Sequence, residues 1–67
     1  MNGSQFEDAY QGRYFKVTFY NHENGYTADL KIDGFPLISD DDNLWVDREE
    51  AKAAMVKLAH KMIDKQR

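Results

Sequence analysis

The sequence predicts a small α+β fold: a three-stranded antiparallel sheet followed by one C-terminal amphipathic helix, in the order β-β-β-α, with the helix packed on one sheet face. Three observations predict it. Between residues 13 and 33, apolar and polar side chains alternate with period 2, as in half-buried strands. Asn-Gly and Asp-Gly pairs separate the apolar runs. From residue 47 onward the apolar residues switch to helical spacing.

The elements follow in order. Residues 1–12, MNGSQFEDAYQG, read as a loosely ordered lead-in in which Phe6 and Tyr10 pack back on the core. Ser4 followed by Glu7 matches a cap for a single helical turn, but no helical apolar period continues from it. Residues 13–67 read as the single folded domain. RYFKVTFY (13–20) is a strand with Phe15, Val17 and Phe19 on one face and Tyr14, Lys16, Thr18 and Tyr20 on the other. NHENG is a hairpin loop in which Gly25 supplies positive φ. YTADLKID (26–33) is the second strand, with Tyr26, Ala28, Leu30 and Ile32 opposed to Thr27, Asp29, Lys31 and Asp33. FPLI starts a third strand, which Pro36 confines to an edge because it has no N–H for a ladder. SDDDN (39–43) reads as a solvated loop, and LWV as a resumption of the third strand or the approach to the helix.

The helix start is marked by Asp47 as N-cap with Glu50 three residues on, a capping-box pattern. Acids (Asp47, Glu49, Glu50) gather at its start and bases (Lys61, Lys65, Arg67) toward its end, as the helix dipole favours. Ala51, Ala54, Met55, Leu58, Ala59, Met62 and Ile63 form one apolar stripe. The expected core is Phe15, Val17, Phe19, Ala28, Leu30 and Ile32 against Ala51, Met55, Leu58 and Met62, with Trp45 covering one end.

Size and charge narrow the function. The chain has 67 residues and no cysteine, so neither disulfides nor thiolate metal sites support it. A small fold without staples gains from a second copy of itself, so a homodimer is a natural expectation. Net charge is −3, unevenly spread: residues 1–46 carry three basic and eight acidic side chains, residues 47–67 six basic and four acidic. An acidic balance disfavours a nucleic-acid binder, whose affinity comes from neutralising phosphates. No apolar run approaches the ~20 residues of a membrane span, and the first residues lack the pattern of a signal peptide. A cytoplasmic protein is the default expectation.

EEAKAAMVKLA (49–59), together with the Asp33-Gly34 turn and the strands before it, resembles the sheet and second helix of double-stranded RNA-binding domains. That resemblance implies phosphate contacts near the helix start, for which Arg48 and Lys52 are the matching bases. The outline is also similar to the N-terminal arm-binding domains of tyrosine recombinases. Tyr10 with Gly12, DREEA (47–51) and KMIDKQ (61–66) resemble small bacterial HlyU-like proteins labelled transcriptional activators.

The candidate binding face is the open side of the sheet: Tyr14, Lys16, Thr18, Tyr20, Thr27, Asp29 and Lys31. Its tyrosines and lysines are the residue types that stack bases and meet phosphates, and equally those of a protein contact. Lys57, Lys61 and Lys65, at i, i+4, i+8, form a secondary basic flank that reads first as a solvated face. The Asp40–Asp42 carboxylates lack the glycine and the downstream glutamate of a calcium loop and read as solvated. His22, in a hairpin loop, and His60, away from the apolar stripe, read as surface residues without a third metal ligand or a nucleophile beside them. No catalytic constellation, cofactor motif or metal site is visible. The expected function is non-catalytic: a protein-interaction or self-association module using the open sheet face or an edge strand. The alternative is a DNA- or RNA-binding regulator using Tyr14, Lys16, Tyr20 and Lys31 with Lys52.

Overall fold

A computed structural model of the chain describes residues 3–65. It is an α+β layout in which strands β1 (Gly3–Tyr10), β2 (Arg13–His22), β3 (Gly25–Ile32) and β4 (Ile38–Trp45) precede helix α1 (Arg48–Lys65). The strands form one antiparallel sheet in sequence order, β1-β2-β3-β4. The sheet therefore has four strands where the sequence reading expected three.

The additional strand is β1, in the stretch read as a loose lead-in. It pairs with β2 along its whole length, from Gly3 opposite Tyr20 to Tyr10 opposite Arg13. Gln11 and Gly12 close this hairpin with φ of 53° and 76°. Positive φ at both central residues is the signature of a type I′ turn, whose twist matches that of paired strands.

A second correction concerns SDDDN. These residues lie inside β4 rather than in a loop. β4 starts regularly, with Ile38 opposite Leu30, Ser39 opposite Asp29 and Asp40 opposite Ala28. The register then shifts, and Trp45 is the residue opposite Tyr26. The acidic run is thus accommodated by a bulge on an edge strand. The side chains of Asp40, Asp41 and Asp42, on which the solvation and cation readings rest, lie outside the described residues, as do Gln66 and Arg67.

The core lies between the inner face of β2 and β3 and one stripe of α1. Phe15, Val17, Phe19, Ala28, Leu30 and Ile32 meet Ala51, Met55, Ala59 and Ile63, all buried. The expected Leu58 and Met62 sit half-buried on the flank instead. The buried residues follow i, i+4, i+8, i+12, a single ridge of the helix surface, and its two alanines let the backbone approach the sheet. Asp47 caps the helix as expected: its Oδ1 accepts a hydrogen bond from the Glu50 N–H at 2.9 Å. Trp45 packs against the core at the end where β2 turns into β3. There Gly25 has φ 151°, and a Cβ on it would collide with the Trp45 carbonyl oxygen.

Two substitutions test these local constraints by chemical unfolding. Gly25→Ala should destabilise the fold by ~1–3 kcal/mol, because both the φ and the Trp45 carbonyl exclude a Cβ. Asp47→Ala should cost ~1 kcal/mol through loss of the cap.

Candidate functional site

The two faces and the two edges of the sheet offer different surfaces. On the open face the register brings the seven sequence-predicted residues together. Lys16 is flanked by Glu7 on β1 and Lys31 on β3, Thr18 by Gln5 and Asp29, and Tyr20 pairs with Thr27. Glu7 and Gln5, on the strand that was not anticipated, therefore belong to this face. Alternation around Gly12 was the available signal: Gln5 and Glu7 point one way, Ser4, Phe6 and Tyr10 the other.

Polar contacts on this face are largely internal. The Tyr20 hydroxyl donates to Asp29 Oδ2 at 3.0 Å, and His22 Nε2 lies 2.8 Å from Thr27 Oγ1. The Lys31 ammonium donates to the carbonyls of Ile32 and Phe35, tying down the turn that Gly34 makes with φ 85°. Arg13 closes the same corner, donating to the Asp33 carbonyl at 2.7 Å with its guanidinium 5.4 Å from the centre of the Phe35 ring. The Glu7 carboxylate accepts a hydrogen bond from the Tyr14 phenol and holds its pKa above the ordinary tyrosine value, with partial desolvation and the Asp33 charge acting in the same direction. Tyr14 and Tyr20 are 43% and 39% exposed, so each ring keeps less than half its surface for a partner.

The other side of β1 meets the helix. At one end Arg48 Nε donates to Ser4 Oγ at 2.9 Å, and its guanidinium lies 4.6 Å above the Phe19 ring. In the middle the Lys52 ammonium sits 4.3 Å over Phe6. At the far end the Tyr10 ring stacks on His60 with centroids 3.9 Å apart, and its hydroxyl donates to Asp64 at 3.0 Å. His60, read from sequence as a surface residue, is thus half-buried between Tyr10 and the edge of Phe15. Arg48 and Lys52, the bases that the RNA-binding resemblance assigned to phosphates, here cover aromatic rings.

Beyond this seam, α1 carries a shallow open depression of ≈ 470 Å³ lined by Glu49, Lys52, Ala53, Val56, Lys57 and His60. Of the basic flank, Lys57 lines it, while Lys61 and Lys65 are exposed and apart from it. No group of three or more His, Asp or Glu among the described residues is placed to hold a metal, and no helix among them is long and apolar enough to cross a membrane.

The two sheet edges are unequal. In the β1–β2 hairpin, closed by a two-residue turn, Tyr10, Asp8, Phe6 and Ser4 exchange hydrogen bonds with Arg13, Phe15, Val17 and Phe19. The backbone groups of Gln5, Glu7 and Ala9 therefore point outward. The Ala9 N–H is met by Asp8 Oδ1 at 2.8 Å, which leaves the outward groups of Gln5 and Glu7 on an edge that no strand among the described residues covers. The opposite edge, β4, is interrupted by its bulge.

Compared with protein-family models, curated proteins and solved structures, the chain has no match.

The Tyr14–Glu7 contact has a pH signature. Because the folded pKa of Tyr14 lies above its unfolded value of 10.0, the contact stabilises the fold fully below pH 10.0 and is lost as pH rises through the folded value. Titration of the tyrosine ring carbons by NMR should show Glu7→Ala lowering the Tyr14 pKa; an unmoved Tyr14 would disprove the contact.

Proposed function

We propose that the chain is a non-catalytic protein-interaction module that takes up an extended segment along the free edge of β1. The observation that carries this reading is the inequality of the edges. A regular strand with outward N–H and C=O groups is a template for strand addition, and folds that do not use such an edge blunt it. β4 is blunted by its bulge. β1 stays regular over eight residues and carries its outward backbone groups at Gln5 and Glu7.

The open face supports a nucleic-acid reading less well. Its polar groups are engaged within the face: Glu7 stands opposite Lys16, Asp29 accepts a hydrogen bond from Tyr20, and Lys31 donates to backbone carbonyls. Phosphate binding would have to displace these contacts before counterion release could contribute. The half-exposed rings of Tyr14 and Tyr20 are what favours that second reading.

Two measurements separate the readings. Gln5→Pro blocks the outward edge without removing a β1–β2 hydrogen bond, since the Gln5 N–H is not in that ladder. Immobilised wild-type protein and Lys16→Glu should both retain a protein partner from the host lysate, including tagged copies of the chain, and Gln5→Pro should weaken that retention by about tenfold or more, the worth of one to two hydrogen bonds. Retention lost in Lys16→Glu but kept in Gln5→Pro would overturn the edge reading. So would salt-sensitive amide shifts at Tyr14 to Tyr20 and Thr27 to Lys31 on adding duplex DNA or RNA.

A further inference from the structure

The chemistry of β1 itself indicates what its edge pairs with. We infer that the added segment is the β1 of a second copy, antiparallel, with the two-fold axis passing through Phe6. This rests on the reading of β1 as the interaction edge and goes further by naming the occupant and its register.

An antiparallel strand paired with itself has few possible centres, and charge separates them. An axis at Glu7 sets Glu7 against Glu7 of the second copy, and an axis at Asp8 sets the two Asp8 carboxylates together. Like charges directly opposite are destabilising. An axis at Gln5 shortens the overlap within the described strand and leaves Phe6 opposite a serine. The axis at Phe6 has none of these faults. Gln5 then faces Glu7 of the second copy in hydrogen-bonded pairs on both sides of the axis, and these are the residues whose outward groups are open. The Ala9 N–H, already met by Asp8, is not required.

On the inner face this register is complementary as well. Phe6 is half-buried, tilted against Phe15 at 6.5 Å and covered by Lys52. At the axis it meets its own copy in a non-hydrogen-bonded pair, where strands approach most closely, to about 4.5 Å between Cα atoms. Ser4 falls opposite Asp8 of the second copy. That carboxylate arrives beside the Arg48 guanidinium, which bonds Ser4 and whose ion pair within its own chain is a loose 3.7 Å contact with Glu49. The product is one continuous sheet with both helices on the same face. It removes the regular edge of each copy and extends a core that 67 residues without disulfides keep small.

The test uses the whole chain, and the absence of cysteine makes it clean. Sedimentation equilibrium of the wild type should give a mass twice 7.8 kDa. Gln5→Pro should raise the dissociation constant about tenfold or more, with Asp8→Lys acting in the same direction. Under mild oxidation Phe6→Cys should cross-link to itself, and a mixture of Ser4→Cys with Asp8→Cys should form the mixed disulfide, whereas Gln5→Cys alone should not. The Ser4 and Asp8 positions are exposed, so this arm reports the register even if Phe6→Cys folds poorly. A wild type that stays monomeric at millimolar concentration, while Gln5→Pro still abolishes capture of another protein, overturns the second copy and leaves the edge reading standing. A dimer indifferent to Gln5→Pro, or one cross-linked through Thr18→Cys on the open face, overturns both.

Discussion

The contact between one ridge of α1 and the inner face of β2 and β3 is the interaction on which the rest of the molecule depends. Ala51, Met55, Ala59 and Ile63 are set down on Phe15, Val17, Phe19, Ala28, Leu30 and Ile32. No disulfide can supplement this burial, so the apolar area it removes from water is the main source of stability. The alanines set the helix close over the two central strands, chiefly β3 and β2. One helix placed there cannot also cover two flanking strands. Each edge must then be held by other means, and the two are held differently.

β4 is fastened at its ends, through Ile38 opposite Leu30 and through Trp45 over the β2–β3 turn, with the acidic bulge between. β1 is fastened along its length by long polar side chains of α1: Arg48 on Ser4, Lys52 over Phe6, His60 and Asp64 on Tyr10. Lys and Arg lay their stems and charged heads over aromatic surface while remaining in water, so a helix can reach a strand it does not sit upon. The consequence for recognition is direct. Arg48 and Lys52 lie against Ser4 and the Phe19 and Phe6 rings, and among the described residues β1 forms a regular, unpaired edge of the sheet.

The open face shows the same economy of charge. Lys16 and Lys31 lie directly opposite each other across β2 and β3, an unfavourable pairing by itself. Glu7 stands on the other side of Lys16, and the Lys31 ammonium turns away to the Ile32 and Phe35 carbonyls. In formal charge, Glu7 and Asp29 equal Lys16 and Lys31 on this face.

The sequence by itself determined β2, β3 and α1, the turns between them, the N-cap at Asp47 and most of the core. Each of these is written locally, in period-2 alternation, Gly at a turn, or apolar residues at helical spacing. The seven residues of the open face could be grouped for the same reason, since alternation along two adjacent strands fixes which side chains share a side. Only the tertiary structure decided β1, β4 and the place of His60. In QFEDAY an inward-facing Asp8 interrupts the apolar alternation, and the residues that hold the strand, Arg48 and Asp64, lie 44 and 54 positions away. In ISDDDNLW the strand comes from backbone pairing with β3, and a bulge absorbs residues that have no apolar pattern to announce them. Edge strands draw their order from neighbours rather than from their own side chains, so the free edge of β1 became visible only once the sheet was assembled.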